Sequence, residues 1–229
     1  MRKIFSSLLL AAVAAFISAG QANASPITTL YNTGVDNSHA VLSDLSPDTH
    51  WSVGSAGTVA RDSSGGYPIV PDGPWLANDT LSAWVIPDNT DHAGDAPPGF
   101  YDFQTTFSLN GFIPSTAMIT GQYSSDNELV DLLVNGTSTG INNGTPFNDI
   151  GAYRFWWPLP AITNLFHSGN NTLEFIVHND GDSINPVGFR AELTGTASPV
   201  PEPSSFALLG LGGISLAIGA YRRRRATAV

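Results

Sequence analysis

The run Tyr101-Asp102-Phe103-Gln104-Thr105-Thr106-Phe107 sets the strongest limit on how this chain folds. Side chains on an extended strand alternate between two faces, so Tyr101, Phe103 and Phe107 fall on one side and Asp102, Gln104 and Thr106 on the other. Such a segment has to bury one face of a sheet. No heptad and no long apolar pattern of helical period occurs elsewhere, and short β-rich runs broken by Gly, Pro, Asn and Asp fill the middle of the chain. The expected strands are Thr80 to Ile86, Tyr101 to Leu109, Ala117 to Tyr123, Glu128 to Val134, Thr172 to His178 and Gly188 to Thr194. Asn135-Gly136 after the fourth run is a tight-turn signal, and Leu173, Phe175 and Val177 share one face of the fifth. The fold class is therefore all-β, with the sheet order over residues 26–79 left open.

The two ends differ from this body. Arg2 and Lys3, an apolar stretch from Ile4 to Ile17, and the small residues Ala22 and Ala24 around Asn23 have the form of a secretory signal peptide, residues 1–24, cleaved to leave Ser25 first. Export then runs through the Sec machinery. Near the other end Phe206 to Tyr221 carries no charge, and as a helix it rises roughly 24 Å. That is short against a hydrocarbon core of about 30 Å, but Arg222, Arg223, Arg224 and Arg225 can snorkel to the headgroups and hold that end in the cytoplasm. A single transmembrane helix at about 206–221 is expected, with the body at 25–198 outside.

The order Pro201-Glu202-Pro203, a short apolar helix, then an arginine cluster resembles the PEP-CTERM sorting signal of Gram-negative bacteria, over residues 199–229. The resemblance implies handling by an exosortase, an inner-membrane-tethered intermediate, and delivery to the cell surface or an extracellular matrix rich in exopolysaccharide. A discarded hydrophobic tail that serves as an address has the logic of a GPI signal. The body in turn resembles the galactose-binding-like jelly roll, a β-sandwich, through "WVIP", "FYDFQTTFSL", "SSDNELVDLLVNGTSTG", "LFHSGNNTLEFIVHNDG" and "GFRAEL" in that order. Many lectins and carbohydrate-binding modules have this fold, which by itself fixes no function.

Between residues 25 and 198 there are three arginines, no lysine and eighteen acidic residues, a formal charge of −15. So acidic a body excludes nucleic acid and anionic lipid as partners, because phosphate binding needs basic side chains. The chain has no cysteine, which removes disulfides, thiolate metal sites and a cysteine nucleophile. Clustered carboxylates and amide oxygens suit a hard cation, so a structural calcium ion is a possible cofactor.

Trp156 and Trp157 sit beside Tyr153 and Arg154, a set that could stack a sugar ring and hydrogen-bond its hydroxyls. Packing is the plainer role for both tryptophans. Trp75, flanked by Pro and Gly, is a comparable loop candidate, whereas Trp51 and Trp84 border strand-like runs and belong in the core. Asp126, Asn127, Glu128, Asp180 and Asp182 supply oxygen ligands without the spacing of an EF-hand loop. The five histidines are scattered, which argues against zinc, and no G-x-S-x-G is present. The sequons at Asn78, Asn135, Asn143 and Asn170 are taken as turn residues. The resulting expectation is an exported, non-catalytic carbohydrate-binding protein. The alternatives are a structural matrix protein without a small ligand and, more remotely, a glycan hydrolase whose carboxylate pair the sequence does not place.

Overall fold

In the computed structural model, residues 23–55, 65–69, 73–87, 94–143, 151–200 and 218 are described. Thirteen strands occur among them: β1 (Ser25–Pro26), β2 (Asp48–Ser55), β3 (Gly65–Ile69), β4 (Trp84–Ile86), β5 (Asp95–Ala96), β6 (Gly99–Ser108), β7 (Met118–Asp126), β8 (Glu128–Val134), β9 (Thr137–Ser138), β10 (Trp157–Ile162), β11 (Asn170–Asn179), β12 (Asn185–Pro186) and β13 (Gly188–Ala197). One sheet runs β10-β7-β13-β4, with β1 also on β13. A second runs β2-β6-β11-β8-β9, and β3 pairs with both β2 and β4 to join them. Every pairing is antiparallel, and β5 and β12 form a separate short ribbon.

The alternation in the sequence explains how the sheets pack. Tyr101, Phe103 and Phe107 of β6 are buried together with Phe175 of β11 and Trp51 of β2, and they meet Tyr123 of β7 and Phe189 of β13. Phe189 lies at the centre, with ring centroids 4.6 Å from Phe175, 5.4 Å from Phe103 and 5.7 Å from Trp51. These contacts cross from one sheet to the other, which makes the fold a β-sandwich around an aromatic core. All six expected strands are present, and Ala24–Ser198 is one compact unit.

The hairpin between β8 and β9 follows its turn signal. Asn135 and Gly136 both have positive φ, at 51° and 76°, the conformation a two-residue turn needs to match strand twist. Asn135 also accepts the Thr172 N–H and donates to the Leu165 carbonyl, tying the hairpin to β11. The Asn of this sequon is thus a structural residue.

Three departures from expectation have local causes. The strand expected from Thr80 shortens to Trp84–Ile86, because the Asp79 carboxylate accepts the Leu81 and Ser82 N–H groups and folds those residues into a turn. Strand β10 was masked in the sequence by Pro158 and Pro160, which an edge strand tolerates. Residues 27–33 supply backbone and side-chain partners to β13 without forming a strand: Ile27 donates to Gly195, and Thr33 Oγ1 and Asn32 Oδ1 accept the N–H groups of Ala191 and Leu193.

Asp48 secures the far end of this segment. Its carboxylate is 1% exposed and accepts the N–H groups of Gly34 at 2.7 Å, His50 at 2.8 Å and Trp51 at 3.2 Å. Burial outweighs those three donors and raises its pKa to about 6. Because the folded value lies above the ordinary one, this carboxyl favours folding most below about pH 4, and the contribution disappears as pH rises through about 6. The expected result in carbon-detected NMR is an Asp48 carboxyl resonance titrating with its midpoint near 6. A midpoint near 4 would mean that the backbone donors prevail.

Candidate functional site

The loop before β4 lies on the outer face of the first sheet, and Arg190 of β13 holds it there. Arg190 is fully buried, facing away from the aromatic core because Phe189 and Ala191 on either side point into it. Its Nε donates to Ser82 Oγ at 2.8 Å, Nη1 donates to the Ala77 carbonyl, and Nη2 pairs with Asp79 at 2.9 Å and Glu192 at 3.5 Å. Trp156 covers the guanidinium, its ring centroid 4.6 Å from Cζ. Burial lowers the Arg190 pKa from its ordinary value, against the pull of Asp79 and Glu192. Burial also works to raise Asp79, but the Leu81 N–H and the Arg190 charge prevail and leave its pKa lowered.

Further along the loop the anchors pass to the tryptophans. Trp84, fully buried, donates its indole N–H to the Leu76 carbonyl at 2.7 Å, and its backbone N–H goes to Asn78 Oδ1. Leu76 N–H reaches the Tyr153 carbonyl at 2.7 Å. Half-buried Trp75 packs on Trp84 with centroids 4.5 Å apart and donates Nε1–H to Asp126 Oδ2 at 2.8 Å. The fit is close: a Cβ added at Gly188 would lie 2.8 Å from Trp75 Cη2, so this position has room only for glycine.

The result is a cleft of about 300 Å³ with Trp75 and Tyr153 as aromatic lining and Asp126, Asn127 and Asn185 as polar lining. Asn127 is held at both ends, its N–H donating to the His178 carbonyl and its Oδ1 accepting the Asp180 N–H at 2.7 Å. A larger concavity of about 460 Å³ lies by β2 and β6, lined by Asp48, His50, Ser52, Gln104 and Thr106 among others. Its carboxylate is already committed to three backbone N–H groups, and the one tryptophan lining it, Trp51, is fully buried. The smaller cleft combines partly exposed rings with polar side chains, and we take it as the candidate site.

The sequence candidates do not form one group. Trp75 lines the cleft. Arg154 is exposed and lies over the Tyr153 ring at 5.3 Å, with Nη2 donating to the Tyr153 hydroxyl. Trp156 faces Arg190, and half-buried Trp157 packs against the core. The arginine stacked on Trp156 is therefore Arg190, not the adjacent Arg154. Trp51 and Trp84 are buried, as expected. Sequence reasoning did not place Asn185 or Asp126 beside Trp75; the Asn-Pro context of Asn185 signals only a loop.

A family model for the PEP-CTERM protein-sorting motif matches residues 199–225. The chain carries a PEP-CTERM sorting motif. Such a motif implies an exported protein, anchored in the membrane before an exosortase processes it. Comparison with curated proteins returns no match. Pro201, Glu202, Pro203, Arg222, Arg223, Arg224, Arg225 and Ala22 lie outside the described residues, as do the signal peptide through residue 22 and all of the helix expected at 206–221 except residue 218. Among the described residues no helix is long and apolar enough to cross a membrane.

Replacing Arg190 by Met keeps bulk but removes every polar contact to Ala77, Asp79 and Ser82. Urea unfolding should show a loss of about 1.5–3 kcal/mol, because hydrogen bonds to a charged group are lost while half-exposed Asp79 is taken up by water. A loss under about 1 kcal/mol would show that the loop is held by the tryptophans alone.

Proposed function

We propose that the body of this PEP-CTERM protein is a non-catalytic carbohydrate-binding module that attaches to surface or matrix exopolysaccharide through the Trp75 cleft. The observation that carries this reading is the pairing of lining types in one cleft. Sugar rings present apolar C–H faces edged by hydroxyls, and they suit a site where aromatic surface lies beside fixed polar groups. Trp75 is pre-oriented by its bond to Asp126 and its packing on Trp84, so little freedom is lost on binding. Arg154 lies exposed over the ring of the cleft's Tyr153.

The sorting motif supports the setting. An address that leads to the exterior brings the body to where polysaccharide is the abundant polymer, and a body without lysine between residues 25 and 198 is not built for phosphate-rich partners. Trp156 and Trp157 serve the module by packing, one on Arg190 and one on the core.

The test is saturable binding of the exported chain to a panel of polysaccharides. Tyr153→Ala and Asn185→Ala are each expected to weaken binding about tenfold, or about 1.4 kcal/mol, with the fold unchanged by circular dichroism. Undiminished binding in both variants would move the site elsewhere. Absence of binding across the panel, with concentration-dependent assembly of the chain, would favour the matrix-filling alternative, and release of sugar products would make it a hydrolase. In cells that hold the exosortase, mass spectrometry of the external form should find the apolar run and arginine cluster after Pro203 removed; an intact tail on external protein would contradict processing.

A further inference from the structure

On the outer face of the second sheet, at the end nearest the cleft, Glu128 of β8 stands directly across from His178 of β11 in the strand register. His178 Nδ1 lies 3.0 Å from Glu128 Oε1, and Asp180, just beyond β11, brings a carboxylate oxygen so that all three donor atoms fall within 4.8 Å of one another. We propose that Glu128, His178 and Asp180 form a site for a divalent transition-metal ion of the zinc type.

Three features argue for it. Geometry comes first: two ligands at about 2.1 Å from one tetrahedral ion are about 3.4 Å apart, close to the separation of the histidine nitrogen and the glutamate oxygen. The second is rigidity. Glu128 and His178 are fixed by a strand ladder, the His178 ring packs on Phe100 at 4.7 Å between centroids, and the Asp180 N–H is tied to Asn127 Oδ1. The third is charge. Glu128 is 7% exposed, and the side chain it meets is an imidazole rather than an arginine. Among the described residues of the body, Arg154 lies on Tyr153 and Arg190 is spent on Asp79 and Glu192, and the body has no lysine. A dication brings the buried carboxylate two positive charges, more than an imidazole can supply in any form.

The donor set also selects the ion. Calcium takes six or more oxygen ligands, and an imidazole nitrogen in the first rank of donors favours zinc and its neighbours instead. The structural calcium considered from composition is thus not what these three residues suit. In the metal-bound form the imidazole keeps one proton, on Nε2, so that the Nδ1 lone pair and the Glu128 oxygen both face the ion. One position of a tetrahedral ion remains, for water, and Asn127 links the cleft's Asp126 to the site's Glu128 in the chain. The metal site would therefore brace the polar wall of the cleft, and it does not depend on whether the cleft takes a sugar.

The test is isothermal titration of the exported chain, stripped with chelator, using zinc ions alone and calcium ions alone. The expected result is saturable uptake of one zinc ion per chain, with calcium much weaker. His178→Gln and Asp180→Asn should each weaken zinc uptake at least about tenfold. Asp180→Asn keeps the backbone bond to Asn127, so it reads the ligand and not the fold, and circular dichroism checks both variants. The proposal is overturned if wild-type chain takes up no zinc saturably, if both folded variants bind it as the wild type does, or if calcium binds as tightly as zinc.

Discussion

A single buried guanidinium determines where the Trp75 cleft of this molecule lies. Arg190 occupies an outward position on β13 where an alternating strand would ordinarily present a side chain to water. It is roofed instead by the loop before β4 and by Trp156, and its fork of donors is what the loop carbonyl, hydroxyl and carboxylate groups converge on. A charge buried at this depth is tolerable only when it is paired, as this one is with Asp79 and Glu192, so the loop cannot drift without exposing the cost of desolvation. Trp75 inherits that fixity through Leu76 and Trp84.

The sandwich beneath supplies a rigid frame and then gives way to loops at one end, where the chemistry collects. The stretch Asp126-Asn127-Glu128 joins β7 to β8 and so passes from one sheet to the other. Its first residue holds the indole of Trp75, its second lines the cleft and binds the backbone of Asp180, and its third meets His178. A crossing between sheets is short and taut, which is why three successive side chains can be aimed at three different partners with little freedom.

What was legible in the sequence follows from periodicity. Residues whose environment repeats every second position, such as Phe103, Phe107, Leu173 and Phe175, were placed correctly on inner faces, and the Asn135-Gly136 turn was correctly identified. Positions governed by one long-range contact were not legible. Nothing near Arg154 or Arg190 says which of them will lie over Trp156, because 108 residues separate Arg190 from the serine it binds. The same holds for the cleft, where Trp75 and Asp126 are 51 residues apart. The short turn at Asp79 was hidden for a different reason: a side chain captured two backbone N–H groups that strand propensity had assigned to a ladder. The sorting motif, by contrast, is linear by nature, and its order of proline, apolar run and arginines is recognisable without any fold.

Strand β10 forms an outer margin of its sheet, and its prolines stand two apart. Alternate residues of a strand direct their amides to the same side, so Pro158 and Pro160 remove two neighbouring donors from one margin. A second copy of the chain approaching that margin would find no ladder to continue. A free sheet edge invites pairing with another chain, and here two prolines within the strand itself work against it.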